Sequence, residues 1–187
     1  MTKPTAVTDG TRRVIMDAFW ELYKTQPIEK IRISEITLRA QVHRSTFYRY
    51  FYDIFDLLEQ IEEEELQSIS SELREAVKTK EDFEHYLPIE HLQQLLINHT
   101  EKIYYLIGAH NKFKKQLEMI LRPVVLSMIK ESVPEAQASY IYSFIFSLFT
   151  SNVCYLYENR DLNPLKDILT FSESIIRNGI IDYTIWK

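Results

Sequence analysis

Glycine is nearly missing from this chain. Only Gly10, Gly108 and Gly179 occur in 187 residues, and no Asn-Gly or Asp-Gly pair stands between alternating apolar stretches. Two-residue β-hairpins rely on such pairs because their central residues need positive φ, so the pattern points to an all-α chain. Core material is ample, with 45% hydrophobic and 13% aromatic residues, which argues against wholesale disorder. The same scarcity removes the phosphate-cradling loops GxGxxG and GxxxxGK[ST] and the nucleophile elbow GxSxG. Neither an i,i+4 histidine pair nor HExxH is present. The expectation is a chain with no catalytic residues, no metal and no cofactor, and therefore not an enzyme.

Prolines set the boundaries. Pro27, Pro88, Pro134 and Pro164 fall where helical periodicity stops or restarts, and Pro123, inside an apolar run, predicts a kink. The spacing predicts a first helix over about residues 9–25, with Val14, Ile15, Ala18, Phe19 and Leu22 inward. A short second helix starts at Ser34 as N-cap, with Leu38, Ala40 and Val42 inward, and a third spans about residues 44–51. Asp53 then caps a long fourth helix ending near residue 78. Leu58, Ile61, Ile69, Leu73 and Val77 form its apolar side, and residues 62–65 read as a solvated turn. Five more helices are predicted over about 88–99, 101–108, 112–132, 135–159 and 164–179, with Gly179 closing the last. That makes nine helices: an N-terminal module over 1–53, a linking helix over 53–79 and a C-terminal body over 80–187.

Charge separates these parts. Residues 1–52 carry nine Lys/Arg against five acids, or +4, while the remainder carries −9. A basic end on an acidic body points to a polyanion met by the first module alone. The stretch QVHRSTFYRYFYD at 41–53 sharpens this, because Phe47, Tyr48, Tyr50 and Phe51 are interleaved with Arg44 and Arg49. On a helix, residues three and four apart share a face. Phe47 and Phe51 then pack inward, leaving Arg44, Ser45, Tyr48 and Arg49 outside with Thr46 and Tyr50 flanking. Arginine matches the guanine O6/N7 edge, and hydroxyl groups reach bases or phosphates. A plain surface helix with two solvated arginines is the alternative.

A short helix, a turn and a second short helix is also the order of a helix-turn-helix, whose second helix enters the major groove. Here the chain resembles the TetR-like transcriptional regulators. The resemblance covers about residues 10–60, and its signature portion is ISEITLRAQVHRSTFYRYF, with Ile33, Ile36, Ala40, Val42, Thr46, Tyr48 and Phe51 in register. It implies that Arg44, Ser45 and Arg49 meet base edges or nearby phosphates. Thr46 and Tyr50 become phosphate ligands, Tyr48 a contact to base or backbone, and Ser34 joins the set as cap of the second helix. Three positions depart from the family pattern. Gln41 replaces the usual turn glycine, so the connection must avoid positive φ or carry strain. His43 replaces the usual serine N-cap, and Ile54 stands where lysine often meets phosphate.

Residues 136–157 contain no charge across 22 positions. A membrane span of that length is possible in principle, but seven polar residues and acidic flanks favour a buried helix and no membrane. Ser139, Ser143, Ser147 and Ser151 form a strip of small side chains on which another helix can seat. The resemblance implies a homodimer through the last two long helices, with Leu165 to Ile176 as the second member. It further implies a small-molecule effector in the C-terminal body, for which Tyr104, Tyr105, Phe113, Met119, Tyr140, Phe144 and Tyr155 are candidate lining residues. Ordinary core packing is the alternative for each. The single Cys154 and the absence of an N-terminal apolar run are the features expected of a cytoplasmic protein. The resulting expectation is a repressor that binds a palindromic operator in double-stranded DNA, with a TetR-like co-regulator acting through a protein partner as the alternative.

Overall fold

The computed structural model describes residues 6–77, 89–109, 111–129 and 134–159. Every regular element among them is helical: α1 (Ala6–Tyr23), a 3-10 turn (Ile28–Lys30), α2 (Ile33–Arg39), α3 (Arg44–Phe47), α4 (Ile54–Val77), α5 (Ile89–Ala109), α6 (Asn111–Ile129) and α7 (Glu135–Glu158). The helix expected over 164–179, its Gly179 stop and the seam near 78–84 lie outside the described residues. Two compact units divide the chain, Met1–Glu64 and Glu65–Lys187, so the division falls within the sequence of α4.

In the first unit α1 packs on α2 and α2 on α3. Ile15, Ala18 and Phe19 of α1 are buried as their spacing requires, but Val14 is 47% exposed and Met16 takes an inward place. Both sit at edges of the stripe centred on Ile15 and Phe19, and only the Met16 edge is covered. The start of α2 lies earlier than the sequence implies. Its N-cap is Arg32, not Ser34, and the Arg32 backbone N–H donates to Glu35 Oε2 at 3.0 Å. Glu35 thus plays the carboxylate part of a capping box without a hydroxyl partner. The inward set of α2 is Ile36, Thr37 and Ala40, whereas Leu38 is 80% exposed. Two residues on from Ile36, Leu38 is rotated about 200° around the helix, onto the opposite face.

The turn after α2 has a defined geometry. Val42 N–H donates to the Thr37 carbonyl (3.0 Å) and Gln41 N–H to that of Leu38 (3.2 Å), with Gln41 at φ 54°. This is a Schellman ending whose left-handed position usually holds glycine. Gln41 therefore accepts the positive φ, the second of the two outcomes its sequence position allows. From there α3 makes a single α-turn and then tightens, with Arg49 N–H donating to Thr46 O (3.2 Å) and Tyr50 N–H to Phe47 O (3.0 Å). The helix expected over 44–51 is accordingly only four residues long. The Tyr50 carbonyl turns instead to the Gln60 side-chain amide (3.4 Å). Asp53 caps α4 as expected, its Oδ1 accepting from Phe55 N–H (2.8 Å) and Asp56 N–H (2.9 Å).

Residues 62–65 are not a solvated turn. Glu62 and Glu65 are only 4% and 2% exposed, because three-residue spacing places them on the same side as Leu58, Ile61 and Ile69. In the second unit Glu65 is held by its partners: His99 Nδ1 lies 2.5 Å from Glu65 Oε1, Lys102 Nζ donates to Glu65 Oε2 at 2.7 Å, and His99 Nε2 is 2.9 Å from Glu72 Oε1. Burial alone would raise the Glu65 pKa, but the hydrogen bonds from His99 and Lys102 outweigh it and hold the carboxyl below the usual range. The Glu65 hydrogen bond in turn raises His99 above its ordinary value, against the opposing effect of burial, with Glu72 adding to the rise.

This cluster corrects another boundary. The two helices expected over 88–99 and 101–108 are one, since α5 continues through residue 100 with His99 and Thr100 buried. No proline or glycine interrupts the helix there, and tertiary partners take up the polar groups. Helices α5, α6 and α7 pack on one another in pairs, and α6 runs through Pro123. Buried Tyr142 of α7 donates to the Glu118 carbonyl of α6 at 3.1 Å. Burial, with Glu118 alongside, pushes the Tyr142 phenol up to about 12. One side of α7 is covered through Ala138, Tyr142, Phe146, Thr150 and Val153. The other exposes Ser139, Tyr140, Ser143, Phe144, Ser147, Ser151 and Tyr155. No described helix is long and apolar enough to cross a membrane.

Candidate nucleic-acid interface

The anchor of the 41–53 stretch is Phe47 and Phe51, 0% and 1% exposed, with ring centroids 5.5 Å apart. Removing either from such a site costs about 3–5 kcal/mol. Each phenylalanine supports a tyrosine. Tyr48 stands edge-on to Phe47 at 5.6 Å and 87°, and Tyr50 tilts against Phe51 at 6.3 Å. Each tyrosine in turn carries an arginine over its ring, Arg44 on Tyr48 at 5.6 Å and Arg49 on Tyr50 at 6.0 Å. Arg44 Nη2 additionally donates to Tyr48 Oη at 3.1 Å. The crowding of rings and guanidinium groups thus resolves into two short ladders, each running from core to solvent.

Of the expected DNA-facing residues, Ser34, Arg44, Ser45, Tyr48 and Arg49 are exposed, while Thr46 and Tyr50 are half-buried. The other basic residues of the first unit divide into two groups. Arg12 is held internally: its guanidinium bonds Gln60 Oε1 from Nε (3.2 Å) and Nη2 (2.8 Å), pairs with Glu64, and lies 5.7 Å over the Phe51 ring. Arg13 pairs with Asp17 and Lys24 with Glu21. Lys30, Arg32, Arg39, Arg44 and Arg49 are exposed and form no ion pair with a carboxylate among the described residues. The unpaired positive charge offered to solvent therefore runs from the end of the 3-10 turn through α2 and α3 to the turn that follows. Arg39 in the last turn of α2 belongs to that group, and its only sequence signal is its charge. The Arg12 clamp has no sequence signal at all, since Gln60 and Glu64 lie 48 and 52 residues away.

The expected effector-lining residues do not converge. Tyr104 and Tyr105 form an edge-to-face pair at 5.3 Å, and Phe113 is core at 0% exposure. Met119, Tyr140 and Phe144 are exposed by 66%, 80% and 53%. Their helical period was legible, but which side of each helix is covered depends on the neighbouring helices. Only Tyr155 lines the open pocket of about 350 Å³ in the second unit, together with Ile107, Lys114, Thr150, Ser151, Cys154 and Glu158. The half-buried Cys154 thiol is raised above its ordinary pKa by burial and then by Glu158.

Neither a protein-family model nor a curated protein matches this chain. Its fold is shared with solved structures. The crystal structure of E. coli NemR in its reduced form aligns over 90% of this chain and 97% of that one, at TM-score 0.63 and 16% identity. The dihydroxyacetone kinase operon activator DhaS aligns over 89% of this chain and 96% of that one, at TM-score 0.56 and 19% identity. At such identities the likeness is one of fold, and this chain has the fold of NemR and DhaS along nearly its whole length.

Proposed function

We propose that this chain is a sequence-specific DNA-binding transcriptional regulator of the TetR type, a homodimeric repressor released by a small-molecule effector. The observation that carries this reading is the pair of core-anchored arginine ladders on α3 and the turn after it, offered to solvent with no carboxylate partner among the described residues. In that role α2, the Gln41 turn and α3 form a helix-turn-helix. Arg44, Ser45, Tyr48 and Arg49 face base edges or the adjacent backbone, and Thr46 and Tyr50 contact phosphate. The +4 charge of residues 1–52 supports it, and so does a fold shared with an operon activator.

Homodimerisation places the exposed line of α7 against a second copy, where Tyr140 and Phe144 gain cover and the serines allow close approach. Two recognition helices then read a palindrome with half-sites about one DNA turn apart. The pocket at the C-terminal end of α7 lies within the size range of small-molecule sites. An effector there releases DNA only by binding the two dimer states with different affinity. No catalytic step belongs to this function.

DNA-site selection with the purified protein tests the proposal. A palindromic sequence should be enriched, bound with a steep salt dependence, and a dimer mass should appear in light scattering at micromolar concentration. Recovery of no preferred sequence would remove the DNA-reading role. A second reading, a co-regulator that works through a protein partner, draws on the strained Gln41, on His43 as an N-cap without a side-chain bond, and on Ile54 at the start of α4. Operator protection that appears only after a partner is added would select it.

A further inference from the structure

Building on that DNA-reading role, we propose that Tyr48 is a positioning residue that makes Arg44, rather than Arg49, the specificity-determining side chain, and that the base selected is guanine. The two ladders differ in one respect. Arg44 is restrained twice, by the ring beneath it and by the hydrogen bond from Nη2 to Tyr48 Oη at 3.1 Å. Tyr48 is itself fixed edge-on against Phe47, which is 0% exposed, so contacts lead without a gap from the core to the guanidinium. Arg49 has the ring contact to Tyr50 at 6.0 Å and no hydrogen bond from its guanidinium among the described residues.

Discrimination between bases needs donors held in direction, whereas phosphate attraction tolerates a mobile cation. Arg44 meets the first requirement and Arg49 the second. The hydrogen-bonding capacity of the Arg44–Tyr48 pair then selects the base. One of the five guanidinium N–H groups is occupied by Tyr48, and the rest remain donors. The Tyr48 oxygen accepts that bond, so its own proton stays available for donation. A unit presenting only donors complements an edge with two acceptors, and in the major groove that edge is guanine N7 and O6. Adenine and cytosine present an amino donor there, and thymine a single acceptor beside a methyl group. As an exposed i,i+4 contact the pair adds little to folding stability.

The test uses the full chain and the operator obtained by site selection. Binding is compared among wild type, Tyr48→Phe, Arg44→Ala, the double variant and Arg49→Ala, with melting curves to confirm that each is folded. Tyr48→Phe should weaken operator binding about 3- to 10-fold and add much less than that in the Arg44→Ala background. Arg44→Ala should abolish, and Tyr48→Phe reduce, preference at the same G·C pair, while Arg49→Ala should weaken all sequences alike and flatten the salt dependence. Independent losses for Tyr48 and Arg44, a G·C preference unchanged in Tyr48→Phe, or a preference that disappears with Arg49 would each overturn the positioning role while leaving DNA reading intact. A wild-type chain that selects no sequence would overturn both.

Discussion

The α3 segment and the middle of α5 treat charge in opposite ways. Around α3, arginines are raised on aromatic supports and left without carboxylates. Around His99, the charges are paired about a buried centre: His99 and Glu65 side chains are 8% and 2% exposed, with the more exposed Lys102 and Glu72 as their outer partners. Unpaired exposed charge contributes almost nothing to folding and is available to a partner. Paired buried charge is available to nobody, and its removal leaves a stranded ion. The difference teaches that exposure and pairing, more than charge itself, separate a binding surface from a structural brace.

The most disruptive test of that contrast is His99→Ala. With Glu65 left in place beside Lys102 alone, the loss of its charge-assisted hydrogen bond should cost about 1.5–3 kcal/mol in urea unfolding. Operator affinity per folded molecule should not change, and a parallel loss of affinity would break the contrast. Titration addresses the same brace more gently. The raised His99 pKa stabilises fully below the ordinary 6.5 and ceases to do so as pH climbs through its folded value. The lowered Glu65 pKa stabilises above the ordinary 4.5 and ceases to do so as pH drops through its own folded value. Melting temperature should therefore peak between 4.5 and 6.5, and His99→Gln should flatten the alkaline side.

On the α3 side, Arg44→Ala should cost about 1–3 kcal/mol of operator binding while shifting stability by no more than about 0.5 kcal/mol. A large fall in melting temperature would mean that Arg44 is a brace after all. The smallest effect belongs to the turn between α2 and α3. Gln41→Gly should stabilise by about 0.5–1 kcal/mol, since relief of the left-handed strain exceeds the added chain entropy of glycine. A lower melting temperature would mean that the Gln41 side chain holds the turn by a contact of its own.

How far the sequence could be read depended on the distance over which each feature is determined. Phe47 and Phe51 as anchors, Asp53 as the cap of α4 and the extent of α7 follow from neighbours within one or two turns, and all are found. Ser34 is not the cap because α2 begins two residues earlier than that reading implies, at Ile33 with Arg32 as N-cap, and Leu38 faces outward because it lies about 200° around the helix from buried Ile36. His99 carries no local signal, because the residues that give it meaning lie 34 and 27 positions back in the chain. The spacing of Arg44 and Tyr48 placed both on the outer side, but their hydrogen bond depends on side-chain angles that spacing does not encode. Met119, Tyr140 and Phe144 carry a helical period without saying which side is covered. Tyr155 reaches the pocket through its position near the end of α7, which periodicity does not distinguish from the others.

Cys154 has a practical consequence. A thiol reacts through its thiolate, and burial followed by Glu158 keeps that form scarce at neutral pH. As the only sulfhydryl in the chain, it offers a single attachment point for a spectroscopic probe. Maleimide coupling there should be slow at pH 7 and accelerate as the solution is made alkaline, so the label can be installed on demand. Because Cys154 lines the pocket at the end of α7, a fluorophore attached there would report directly on occupancy of that cavity.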